Sequence, residues 1–119
     1  MRSTKQKDCI HDILKQTSLA LSAEELLAEC QKTVPNMGIA TIHRELKRLR
    51  EEHQLEEVVI PNDVLRFCLA EKHHHHHFKC NECNKVYDID CGSVDLKLPK
   101  GFKKAEHEVN IFGVCGACA

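Results

Sequence analysis

Two Cys-x-x-Cys turns, Cys80-Asn-Glu-Cys83 and Cys115-Gly-Ala-Cys118, hold four of the eight cysteines in this 119-residue chain. Such a turn lets two thiolates converge on one ion, and two turns complete the tetrahedral sulfur site that zinc prefers. A redox dithiol or a disulfide pair would use the same residue types. Two pairs together in one short chain, with thiols kept reduced, favour zinc. Metal-coupled folding would also offset a small core, because the chain has only four Phe, one Tyr and no Trp. Gly113 and Gly116 suit the tight backbone around the second pair.

Just before Cys80 runs a block of five histidines, His73 to His77. On an extended segment alternate side chains face opposite ways. His73, His75 and His77 would then share one face, and His74 and His76 the other. Such a run can serve two metal sites back to back, or it can be a tract that scavenges metal without a defined geometry. His107, Cys68 and several carboxylates are the remaining ligand candidates. Cys9, Cys30 and Cys91 read as small apolar core residues or incidental thiols. His11 and His53 read as surface or half-buried helix positions.

These ligands need elements to position them, and the chain changes character near residue 61. Before it the pattern is helical. A first helix is expected from Ser3 or Thr4 to about Gln16, with Cys9, Ile10, Ile13 and Leu14 on its apolar face. A second opens at "SAEELLAEC", where Ser22 and Glu25 form a capping box that turns Leu26, Leu27 and Cys30 inward. Residues 35–38, Pro-Asn-Met-Gly, are turn chemistry. A third helix follows in "IATIHRELKRLREEH", with Ile39, Ile42, Leu46 and Leu49 on one stripe. "LEEVVI", "PND" and "VLRFCL" then read as strand, turn, strand. Helix, helix, turn, helix, wing is the order of a winged helix-turn-helix. In the third helix Arg44, Lys47, Arg48 and Arg50 face Glu45 alone, and Thr41, His43 and Arg44 occupy the turns that a recognition helix presents to bases and phosphates. An ordinary solvated helix face would carry similar charge.

The bulk composition excludes other classes. No apolar run approaches the roughly 20 residues of a membrane span, and the opening "MRSTKQKDCIHDIL" is an amphipathic helix rather than an export signal. A cytoplasmic location is therefore expected. The net charge of −1 gives no global attraction to nucleic acid, so DNA-binding charge must be local. No motif supplies the open metal position and placed base of a zinc enzyme, and no enzymatic activity is expected.

"GIATIHREL", "HHHHHFKCNECNKVYDI" and "HEVNIFGVCGAC" together resemble the recognition helix, His-rich metal segment and closing strand of the ferric uptake regulator (Fur) family, in order and spacing across the whole chain. The branch it most resembles is that of the zinc uptake regulators. The resemblance implies an α+β chain: an N-terminal winged helix-turn-helix over residues 1–69, a hinge at about 60–75, and a small zinc-bound α/β dimerisation domain over 76–119. It implies a homodimeric, metal-dependent transcriptional repressor of metal-uptake genes that binds a palindromic operator in double-stranded DNA and no membrane. Structural zinc would fall on Cys80, Cys83, Cys115 and Cys118. The regulatory site would fall on Glu56, Cys68, His75 and His77, with Asp88 or Glu71 able to replace Glu56. A secondary site would use His74, His76, Asp95 and His107. DNA contacts would come from Arg2, just before the first helix, and from Thr41, His43, Arg44 and Lys47.

A thiolate with two imidazoles suits zinc, whereas Fe2+ or Mn2+ favours more oxygen. Ala20 and Cys68 stand where the iron and peroxide sensors carry a His and an acidic residue. His43 stands where the family usually has Tyr, and "GSVDLKLPKGF" leaves little room for the helix that usually follows the acidic strand. An iron- or peroxide-sensing member of the same family is one alternative. A zinc-storage or metallochaperone protein is another, with the histidine run as its cargo site.

Overall fold

In the computed structural model the described residues are 2–70, 75–90, 97–103 and 107–119, and the side chains of residues 2–4, 75 and 90 lie outside that description. The chain divides into two compact units, Met1–His73 and His74–Ala119. The first is helical with a small sheet; the second, among the described residues, is a three-stranded sheet. The class is α+β.

The first unit is built on helix α1 (Arg2–Gln16), helix α2 (Ala23–Gln31) and helix α3 (Ile39–Glu51). Arg2 is thus the first residue of α1 rather than the one before it. The Ser22–Glu25 capping box is complete: Ser22 Oγ accepts the Glu25 amide at 3.2 Å, and Glu25 Oε1 accepts the Ser22 amide at 2.9 Å. Two of the donors that open α2 are thereby satisfied. Between α2 and α3, Gln31 Nε2 donates to the Met37 carbonyl at 2.9 Å and closes the turn. The core joins Ile10 and Leu14 of α1, Leu26 of α2, and Ile42, Leu46 and Leu49 of α3. Ile39, expected on the buried stripe, is instead 37% exposed, and Met37 is buried in the core. As the first residue of α3, Ile39 lies ahead of the turns that pack on α2.

Three strands complete this unit: β1 (Leu21–Ser22), β2 (Leu55–Val58) and β3 (Arg66–Leu69), in the order β1-β3-β2, all antiparallel. The β2–β3 hairpin is the expected wing, with a connection over 59–65 in which Val59, Val64 and Leu65 are exposed. The two-residue β1 carries no periodic signal and was not foreseen. Arg66 is 3% exposed. Its guanidinium donates to Asp63 at 2.8 Å, to the Ala20 carbonyl at 3.1 Å, and to Glu25 Oε1. The same Glu25 oxygen therefore caps α2 and ties the wing to it. Burial opposes the Arg66 charge, but Asp63 and Glu25 outweigh it and hold the guanidinium firmly protonated.

The second unit contains β4 (His75–Cys80), β5 (Val86–Asp90) and β6 (Asn110–Gly113) in the order β5-β4-β6. β4 and β5 form an antiparallel hairpin; β4 and β6 are parallel. Cys80–Cys83 is the turn of that hairpin, and the parallel pairing delivers Cys115 from the far end of the chain to the same edge. Gly113 sits close against Phe78: a Cβ would lie 3.1 Å from its ring, which would have to shift by a few tenths of an ångström. Gly116 meets nothing within 4 Å, so its smallness is not demanded. No described helix is long and apolar enough to cross a membrane.

Candidate metal centres and nucleic-acid interface

Cys80, Cys83, Cys115 and Cys118 are brought together, with one sulfur from each lying within 4.8 Å of all the others. The Cys83 and Cys115 sulfurs are 3.9 Å apart. Zinc–sulfur bonds of about 2.3 Å in a tetrahedron place sulfurs about 3.8 Å apart, so the cluster has the dimensions of a zinc site. The backbone agrees. Cys80 Sγ receives amide N–H groups from Glu82, Cys83 and Cys115, each at 3.4 Å. Those of Cys83 and Cys115 lead in bringing its thiol down to about 6. The Tyr87 hydroxyl donates to Cys115 and lowers that thiol, while its own proton is held more tightly in return. The crowding, Cys115 first, pushes the Cys118 thiol up to about 12. Four thiolates this close repel unless a divalent cation shares them. Tyr87 was not singled out in the sequence, because nothing in "NKVYDI" reveals that the β4–β5 hairpin turns its ring toward Cys115.

The described part of the histidine run, His75–His77, is extended, as expected, and opens β4. His76 is fully buried and its Nδ1 accepts the Val109 amide at 3.2 Å, which in a neutral ring leaves Nε2 as the other functional nitrogen. Its ring centroid lies 4.6 Å from that of His107. Two members of the expected secondary set therefore meet; His74 and Asp95 lie outside the described residues. On the other face, His77 sits directly across from Asp88 in the β4–β5 register. His77 Nε2 and Asp88 Oδ1 face each other at 3.5 Å, with side chains 13% and 9% exposed. Neither atom makes a hydrogen bond among the described residues. Leaving buried polar atoms unbonded costs about 1–3 kcal/mol each, and a cation accepting both lone pairs removes that cost. The carboxylate beside His77 is thus Asp88, named above only as a substitute.

Glu56 and Cys68 are direct partners across β2 and β3, which puts both on one face of the wing sheet. Each unit therefore assembles its own candidates: Glu56 with Cys68, and His77 with Asp88. The side chain of His75 and all of His73, Glu71 and Cys91 lie outside the described residues.

The recognition-helix candidates divide by burial. His43, Arg44 and Lys47 are exposed on α3, and Arg44 Nη2 donates to Thr41 Oγ1 at 3.3 Å. His43, Lys47 and Arg50 also line a cleft of about 350 Å³ between α3 and the wing residues Val64 and Leu65. The local charge excess is smaller than the sequence suggested. Arg48 is committed to Glu45 and, at 2.8 Å, to Glu52; Arg50 is committed to Glu57 at 2.8 Å. Glu45, the lone acid of that stretch, is 3% exposed and also binds His11 Nε2 at 3.1 Å. Burial alone would raise its carboxyl, but the Arg48 and His11 bonds prevail and hold it below the ordinary range. Among the described residues Arg44 and Lys47 are the α3 cations left exposed and outside these ion pairs. The Arg2 side chain lies outside the described residues.

The comparisons extend these findings to the whole chain. The profile of the ferric uptake regulator family matches residues 1–112. The ferric uptake regulation protein of Campylobacter jejuni is 28% identical, over 99% of this chain and 80% of that protein. The zinc uptake regulation protein of Mycobacterium tuberculosis is 25% identical, over 99% of this chain and 95% of its own. Among solved structures, the Helicobacter pylori ferric uptake regulator, described as having three functional metal-binding sites, superposes with a TM-score of 0.66. It is 22% identical and covers 96% of this chain and 79% of its own. With that match added to a winged helix and a four-cysteine cluster that fits zinc, the chain belongs to the ferric uptake regulator family, metal-dependent transcription regulators that act as DNA-binding dimers and not as enzymes.

Proposed function

We propose that this chain is a zinc-sensing repressor of metal-uptake genes, binding a palindromic operator as a homodimer. In this reading Cys80, Cys83, Cys115 and Cys118 hold a structural zinc. Cys68, His75 and His77 hold the regulatory zinc, with Asp88 or Glu56 as the oxygen ligand. The observation that carries the reading is the buried, unbonded pair of His77 Nε2 and Asp88 Oδ1. Thiolate and imidazole together favour zinc over ferrous iron.

A zinc held by these residues would order the hinge at about residues 60–75. Cys68 and His77 then restrict the separation of the two recognition helices in the dimer, so that both α3 helices reach successive major grooves. By linkage, operator DNA tightens metal binding by the same factor that metal tightens DNA binding. His74, His76, Asp95 and His107 form a secondary site on the opposite face of the run. Asp88 favours a second reading, a ferrous sensor, because it adds a hard oxygen donor.

Operator binding titrated with zinc, ferrous iron and manganese, on wild type and Cys68→Ser, separates the two. Zinc-dependent binding that collapses in Cys68→Ser is expected. Equal zinc response in both proteins removes Cys68 from the site, and a response to ferrous iron alone replaces zinc with iron. Metal binding without any operator binding would leave a storage protein.

A further inference from the structure

Cys9 and Cys30 lie outside all three metal-site readings, and the fold brings them together. Cys9 is half-buried on α1 and packs against the core, while Cys30 is fully buried on α2. The Cys9 thiol points at the Cys30 carbonyl oxygen at 3.9 Å, across 21 residues of chain. We propose that Cys9 and Cys30 form a redox modification site, a dithiol that hydroperoxides convert to an α1–α2 disulfide.

The two thiols have unequal parts. Burial, then a hydrogen bond with Cys9, pushes the Cys30 thiol up to about 12, so it keeps its proton and is shielded from solvent. Cys9 is the accessible sulfur and reacts first. Its thiolate attacks one peroxide oxygen, the O–O bond breaks, and the other oxygen leaves as an alcohol, or as water for hydrogen peroxide. Cys9 is then a sulfenic acid. The Cys30 sulfur displaces its hydroxyl, losing a proton as the S–S bond forms, and water leaves. Two thiols and one hydroperoxide thus give one disulfide, one alcohol and one water, the two electrons passing from sulfur to the peroxide.

An S–S bond is about 2.05 Å, so closure draws α1 and α2 together, and α3 packs on both. The tie therefore acts on the scaffold of the DNA-reading helix, independently of either metal. None of these residues belongs to the four-cysteine cluster or the regulatory set.

The test is a peptide map of the full-length, zinc-loaded protein after a hydrogen peroxide pulse, alkylated with iodoacetamide and digested with trypsin without reductant. The expected species joins peptides 8–15 and 16–32 at two hydrogens below their summed mass, vanishes on adding dithiothreitol, and is absent from Cys9→Ser, where Cys30 is recovered alkylated. Recovery of the two wild-type peptides unlinked, both alkylated, overturns the proposal. So does Cys9 found as a sulfinic acid beside an alkylated Cys30, or linked to any other cysteine.

Discussion

Cys80 receives three amide N–H groups on one sulfur, a geometry that favours a thiolate before any ion arrives. Cys80→Ser removes both a thiolate of the cluster and the acceptor of those amides. The expected result is loss of the chelator-resistant zinc, read by native mass spectrometry, with loss of strand signal in circular dichroism. Glu45 gives the residue scale a pH dependence. Its folded carboxyl lies below the ordinary value of 4.5, so the stabilisation is present above that pH and is lost as pH falls through the folded value. Wild type should become steadily easier to unfold below about pH 4.5. Glu45→Gln should lose roughly 2 kcal/mol at neutral pH, because Arg48 and His11 are themselves partly exposed, and should lack that acid slope. Urea unfolding at pH 7 and pH 4 measures both.

At the scale of the element, α3 is a helix whose charges have separate tasks. Arg48 braces it against Glu45 and Glu52, whereas Arg44 and Lys47 point outward. Arg44→Ala and Lys47→Ala should each weaken operator binding and reduce the slope of log affinity against log salt by about one. Arg48→Ala should leave the slope unchanged and lower the unfolding midpoint. Fluorescence anisotropy across a salt series, beside thermal melts, distinguishes the two kinds of arginine. From sequence alone the four cations of α3 looked equivalent. Helical periodicity marks which face is apolar, but it does not say which acid on that face will be buried to receive an arginine. The capping box, the three helices and the wing were legible because each rests on contacts a few residues apart. β1 was not, since a two-residue strand exists only through its pairing with β3.

Over the whole molecule, the predicted ions should differ in how tightly they are held. Native mass spectrometry under a graded chelator series should show two classes of zinc in wild type, one resistant and one exchangeable. His77→Ala and Asp88→Asn should each remove the exchangeable class and leave the resistant one. Loss of both classes together would mean that His77 and Asp88 support the fold rather than a separate ion.

The sequence by itself determined the family, the order of its elements and the two cysteine pairs that cluster. Cys-x-x-Cys turns, capping pairs and hydrophobic periods are local statements that survive without coordinates. The alternation of the histidine run belongs with them, because an extended chain has a period of two. Tertiary structure alone decided which partner each of these residues meets. The parallel pairing of β4 with β6 carries Cys115 to Cys80 and His107 to His76, and the β4–β5 register sets Asp88 against His77. It also puts Tyr87 on Cys115, Glu45 between two helices, and Cys9 on Cys30. Those juxtapositions depend on strand register and helix packing between residues far apart in the chain, which no local pattern encodes.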